Sequence, residues 1–296
     1  MKKFDIPYYR GSYLKILMKK MKVLIYGIPK TGTTILTYKI SSALGESTQV
    51  IFEPKVRDKS IEKPGNIVTK CLFGFDPSEW YTTPETIEDY YNYEKKIWIT
   101  RDPRDVIISS FLYQWFKGHD PQKESFKNAL EAVKMKEENP NSIPFSVLDR
   151  IKINGMTLNT DELKNYHTKM NSDMFNLINK ITRYRFISKI LKRDWFIFKY
   201  EDLIDNKIEK LNEYLGFSID DEADIPKKFG RVKRSKAYGN WRDWFTPEDV
   251  EFYKPLYHEY MQLVNYDTND WRLNDNPVLS PELGSKYMEK LFYGEN

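Results

Sequence analysis

The sequence predicts an α/β fold of three layers: a central, mainly parallel five-stranded sheet flanked by helices. Two observations carry this. Five short apolar runs, VLIYG (23–27), QVIFE (49–53), NIVTK (66–70), KIWIT (96–100) and WFIFKY (195–200), have the composition of strands covered on both faces. Each is closed or followed by residues that handle phosphate or protons: Lys30 within PKTGTT (29–34), Glu53, Lys70, Arg101, and Tyr200-Glu201-Asp202. In an open parallel sheet such positions share the carboxyl edge of the strands, where ligands bind. The leading reading is a nucleotide-handling enzyme.

The elements follow in order. Residues 1–20 form an aromatic and basic lead-in without a clear period. After the first strand and its Gly/Pro loop, Leu36, Ile40, Ala43 and Leu44 recur at helical spacing, and Gly45 is a natural stop. The scheme repeats after 96–100: Asp102 can cap, Pro103 suits the first helical position, Asp105 favours the positive helix start, and the periodicity runs to about Phe116. From 120 to about 190 the chain is polar and helical in character, broken at Asn139-Pro140-Asn141 and Asn154-Gly155. It reads as a helical insertion able to cover an acceptor site. Residues 207–216 and 247–265 look helical, 226–246 a basic loop, and the tail from 274 turn-rich and loose. The whole, 1–296, is taken as one domain with its core over about 22–250.

Composition narrows the function. Lys and Arg number 47 against 43 Asp and Glu, and a net charge of +4 does not favour a nucleic-acid or membrane-coating role. One cysteine, Cys71, excludes an internal disulfide framework and fits a reducing compartment, so the expected location is cytoplasmic. No apolar run approaches the roughly 20 residues that span a bilayer. Residues 18–26 superficially resemble a signal peptide, but Gly27 and Pro29 cut them short and a first core strand fits better.

Two motifs carry chemistry. In GIPKTGTT (27–34), Gly32 lets the backbone approach a ligand, the helix-start amides offer anion donors, and Lys30 adds a full charge beside the Thr33 and Thr34 hydroxyls. An ordinary βα turn is the plain alternative. It is not a Walker A loop, because the lysine precedes the glycine instead of following it. In RDPRDVIISSF (101–111), Arg101 ends a strand and Ser109 lies eight residues on, a guanidinium and hydroxyl that suit a terminal phosphate. Arg101 can equally pair with Asp102 or Asp105 as surface charge.

These two motifs, with KYEDL (199–203) and RVKRSKAYGNWRDWF (231–245) in the same order, resemble the PAPS-dependent sulfotransferases over residues 22 to 250. The resemblance implies a P-loop NTPase-like sheet and PAPS as co-substrate, with PAP the product. It assigns the 5′-phosphosulfate to Lys30, Thr31, Gly32, Thr33 and Thr34, and the 3′-phosphate to Arg101 and Ser109. Tyr200 would lie beside adenine, and Arg234, Ser235 and Lys236 would close over the 3′-phosphate. Three departures stand out. Ile35 replaces the tryptophan that many cytosolic members stack on adenine. Arg-Ser-Lys replaces Arg-Lys-Gly. The catalytic histidine after the third strand is absent, the local text being Thr69-Lys70-Cys71-Leu72.

Sulfuryl transfer needs a base for the acceptor hydroxyl and a positive group for the departing nucleotide. Lys30 suits the second task. Glu53, in Phe-Glu-Pro at the end of strand two, suits the first and resembles the glutamate base of carbohydrate sulfotransferases; a solvated strand-end carboxylate is its bland alternative. Lys70 either assists the leaving group or pairs with Glu53. His119, in a Gly-His-Asp-Pro loop, is an outside candidate base. A glycan or other alcohol is the favoured acceptor, and no clustered His/Cys/Asp set calls for a metal. The rivals are a P-loop kinase, which would require ATP and Mg²⁺, and a non-catalytic PAP-binding protein with a decayed site. WRDWFTPEDVEF (241–252) partly resembles a segment used for small dimer contacts, which would make a weak homodimer, while Trp241 and Trp244 also read as core.

Overall fold

The computed structural model describes residues 20–54, 57–74, 81–83, 85–149, 187–189, 194–219, 226 and 237–294. Its centre is a five-stranded sheet of β1 (Lys22–Gly27), β2 (Gln49–Phe52), β3 (Ile67–Leu72), β4 (Lys95–Thr100) and β5 (Phe196–Lys199). The order is β2-β3-β1-β4-β5 and every pairing is parallel. All five expected strands form.

Alternation along each strand feeds two layers. Val23, Ile25, Val68, Ile97 and Ile99 point to the face covered by α1 (Thr33–Ala43) and by a helix that supplies Leu211 and Leu215. Leu24, Tyr26, Cys71 and Trp98 point to the other face, beneath Tyr90, Trp195, Tyr260 and Val264. Burial on both faces explains the unbroken apolar runs. Leu36 and Ile40, one turn apart, seat α1, and Gly45 with φ 95° stops it in the left-handed region.

A third body of core lies beside the sheet. It gathers α2 (Pro103–Tyr113), α3 (Lys123–Glu138) and α4 (Phe145–Leu148) around Phe111, Phe126, Val133 and Phe145. The chain resumes with α5 (Tyr200–Ile204), α6 (Glu209–Leu215), α7 (Trp241–Trp244), α8 (Pro247–Leu263) and α9 (Ser285–Tyr293). Trp241 and Trp244 are buried in this core. Asp249 completes a capping box with Thr246 and also accepts the Phe145 and Ser146 amides, each at 2.7 Å, which joins the starts of α8 and α4.

Three expectations change. Part of the expected basic loop 226–246, Trp241–Trp244, is helical. The second helix stops at Tyr113, and Lys117–His119 forms a separate 3₁₀ turn. The tail from 274 is not loose: it ends in α9, whose Tyr287, Met288 and Leu291 are buried and whose Phe292 stacks on Phe126 with ring centres 3.8 Å apart. Glu137 receives the Ser285 amide at 2.6 Å and its hydroxyl at 2.7 Å, holding the start of α9. The turn residues of 274–284 hid a short amphipathic helix that an acidic partner on α3 fastens. Of the 120–190 stretch, residues up to 149 join the core, while 150–186, including Asn154-Gly155, fall outside the described residues.

The topology locates the crevice. The connection leaving β1 travels towards β2 at one edge, whereas the connection leaving β4 travels towards β5 at the other. Between the carboxyl ends of β1 and β4 the chain therefore parts, and that is where an open parallel sheet binds ligands.

Candidate functional site

The loop leaving β1 is built for close backbone approach. A Cβ on Gly27 would come within 2.5 Å of the Ile99 carbonyl oxygen on the adjoining strand, so only glycine fits there. The Thr31 hydroxyl donates to the Ile28 carbonyl at 2.7 Å and closes the turn internally. Lys30 (φ 73°) and Gly32 (φ 88°) are both left-handed, which curls the loop in the manner of an anion-binding nest. Gly32 caps α1 with no side-chain hydrogen bond, and Thr33 and Thr34 begin the helix, both buried.

Three elements meet this loop. A Cβ on Gly32 would lie 2.5 Å from Cδ2 of Tyr200, so the tyrosine that opens α5 rests against the loop glycine. The Arg101 guanidinium sits 4.6 Å from the centre of the same Tyr200 ring. Its two terminal nitrogens donate to the Lys30 carbonyl and the Ala237 carbonyl, each at 3.3 Å, and its buried Nε has no hydrogen-bond partner among the described residues. Lys30 in turn places its ammonium 3.2 Å from the ring centre of Tyr113, at the end of α2. Ser109, buried, lies one turn earlier on that helix.

Other acidic groups hold the frame. Asp102 caps α2 through the Arg104 amide at 3.0 Å and pairs with the Arg104 guanidinium at 2.6 Å, so Asp102 partners Arg104 and not Arg101. Arg104 is also packed over Trp241 at 3.9 Å and Trp271 at 4.8 Å. Asp105 accepts the Gly239 and Trp241 amides; burial raises its pKa, against the opposing pull of the Arg101 charge. Glu201, from KYEDL, accepts the Asp102 amide at 2.9 Å and the Tyr266 hydroxyl at 2.6 Å, and burial raises its pKa as well. The sequence reading missed Glu201 as the group that joins the exits of β4 and β5. Its only signal was a carboxylate directly after the strand-end tyrosine.

Glu53 closes β2 with a left-handed φ of 51°, strained for a residue with a side chain, and its amide donates to the Lys70 carbonyl at 2.8 Å. Its carboxylate forms an ion pair with the Lys70 ammonium, which also lies 4.0 Å from the Phe52 ring centre. The Lys70 side chain is only 4% exposed against 22% for Glu53. Burial lowers the Lys70 pKa, and the Glu53 charge opposes that shift. Of the two roles open to Lys70, pairing with Glu53 is the observed one. Lys70 belongs to β3, which adjoins β1 and sets Lys70 opposite Ile25.

His119 is exposed, edge-on to Tyr113 and Phe116 at 5.4 Å each, and His258 is exposed on α8. Arg234, Ser235, Lys236 and His167 lie outside the described residues, although Ala237 and Gly239, just downstream of the basic triplet, are bound to Arg101 and Asp105.

No protein-family model matches the chain, and no curated protein matches it. Among solved structures, the chain is similar to the mouse sulfotransferase SULT7A1 complexed with PAP. The two are 14% identical, with a TM-score of 0.48, over 84% of this chain and 90% of that one.

Proposed function

We propose that this protein moves a sulfuryl group from PAPS to the hydroxyl of an acceptor, a glycan or other alcohol being favoured. The observation that carries the reading is Arg101: a buried guanidinium stacked on Tyr200, anchored to the backbone of the Lys30 loop, with a buried Nε–H that has no partner among the described residues. A buried donor left unpaired is costly unless a ligand uses it. Beside it stand a nest-like loop, a full charge on Lys30 and a helix start with no side-chain cap, a donor set that suits a doubly phosphorylated adenosine.

When bound, PAPS supplies the activated sulfuryl group. Lys30 and the amides of 31–34 would hold its 5′ end, Arg101 and Ser109 its 3′-phosphate, and Tyr200 one side of the base, and the sequence resemblance assigns Arg234, Ser235 and Lys236 to the 3′-phosphate as well. The Glu53 carboxylate takes the acceptor hydroxyl proton as the new S–O bond forms and the bond to the phosphate oxygen breaks. Lys30 stabilises the negative charge that gathers on the departing oxygen. Lys70 holds Glu53 in place through their ion pair.

Calorimetric titration with PAP and with adenosine 5′-phosphosulfate tests the reading. Arg101→Ala should lose about 1.5–3 kcal/mol of PAP affinity and leave the nucleotide without a 3′-phosphate unaffected. Equal losses for both ligands would remove Arg101 as the 3′-phosphate clamp, and no binding of either by the wild-type protein would remove the function.

A further inference from the structure

Lys30 is held by something no phosphate-binding motif requires. Its ammonium lies 3.2 Å from the ring centre of Tyr113, within the range of a strong cation–π contact. That ring is itself fixed: Phe116 stacks on it with centres 5.7 Å apart and planes within 16°, and His119 meets it edge-on at 5.4 Å. Tyr113 follows Ser109 by four residues on α2, so the two occupy one helix face.

We propose that Tyr113 is a positioning residue for Lys30, and that its ring face holds the ammonium beside the Ser109 face of α2 before any phosphate arrives. This rests on the reading of the crevice as a PAPS site and names a residue which that reading does not use. The chemistry of a ring face suits the task. A carboxylate in the same place would cancel the charge that the loop has to present. An aromatic face attracts the ammonium while leaving its charge intact, so less side-chain freedom is lost when a phosphate binds. The contact joins the β1 loop to the end of α2, the two elements that carry the two phosphate-binding motifs.

The test compares Tyr113→Leu with Tyr113→Phe, each with Lys30 and with Lys30→Met, by PAP calorimetry. Tyr113→Leu should weaken PAP binding roughly 3- to 10-fold, within what a cation–π contact supplies. Tyr113→Phe, which keeps the π face, should restore it. In the Lys30→Met background the leucine change should cost less than about twofold, because the partner it acts on is gone. Protein carrying ¹³C at lysine Cε gives a second readout. The Lys30 resonance, assigned by its loss in Lys30→Arg, should be shifted by the ring current in wild type and in Tyr113→Phe, and revert in Tyr113→Leu. An equal loss in both Lys30 backgrounds, phenylalanine behaving as leucine, or no ring-current shift would each overturn the proposal while PAP binding survives. A wild-type protein that binds no PAP overturns the underlying reading, and this inference with it.

Discussion

The carboxylate of Asp105 accepts the amide of Gly239 at 2.6 Å, joining the first turn of α2 to a segment 134 residues away. It takes the Trp241 amide too, at 3.2 Å, while Arg101 bonds the Ala237 carbonyl. The downstream end of the basic segment is thus fastened to the exit of β4.

Removing that anchor should therefore act on binding as well as on folding. Asp105→Ala strands two amides and is expected to cost about 2 kcal/mol in urea melts, within the range for unsatisfied buried donors. PAP affinity should fall as well, on the order of tenfold, if the anchored segment carries Arg234 and Lys236 to the 3′-phosphate. Wild-type PAP binding by a destabilised but folded variant would detach this anchor from the site.

Gly32 gives a sharper test of the loop. An alanine there faces both a left-handed φ of 88° and a Cβ placed 2.5 Å from the Tyr200 ring. Gly32→Ala should weaken PAP binding by about 100-fold or more, a loss comparable with two charge-assisted hydrogen bonds. Adding Tyr200→Ala relieves the clash but not the backbone strain, so recovery should be partial. Full recovery would mean that Tyr200 alone dictates glycine at this position.

The Glu53–Lys70 pair separates chemistry from stability. Glu53→Gln should lower turnover about 100- to 10,000-fold, the usual worth of a general base, with PAP binding retained. It also leaves Lys70 buried without a counter-charge, at a cost of about 3 kcal/mol, the lower end for broken buried pairs because Glu53 is partly exposed. Glu53→Gln with Lys70→Met should regain most of that stability and none of the turnover. Restored turnover in the double variant would take Glu53 out of the mechanism.

Glu62 predicts an acid-side stability change remote from the site. Burial acts to raise its pKa, but hydrogen bonds from Arg57 at 2.7 Å and Lys22 at 2.5 Å outweigh burial and hold it at about 2, against an ordinary 4.5. The folded protein takes up this proton less readily than the unfolded chain. Its contribution is therefore complete above about pH 4.5 and lost as pH falls through about 2. Thermal melts should show Glu62→Gln less stable than wild type at pH 6, the gap closing between pH 4.5 and 2. A gap that does not change with pH would contradict the assignment.

Much of the frame was legible in the chain. Three runs buried on both faces, β1, β3 and β4, and two partly exposed edge runs, β2 and β5, announced themselves as unbroken apolar text, and the residues closing them marked one sheet edge. Asp102, Pro103 and Gly45 wrote the helix boundaries in local chemistry that needs no tertiary information. What stayed hidden depends on contacts between distant segments: Asp105 with Gly239, Glu201 with Tyr266, Tyr113 with Lys30, and Phe292 with Phe126. Nothing in the local text around any of these residues names its partner.

Periodicity and strand-end residues were enough to specify a doubly wound sheet with its polar groups gathered at one rim, because hydrophobic spacing and turn chemistry act over a few residues. Packing alone decided that Arg104 and not Arg101 answers Asp102, that Lys70 sits buried against Glu53, and that the C-terminal segment is a docked helix. Each of those outcomes turns on which charge loses its water and which neighbour replaces it, and only the folded chain brings those neighbours together.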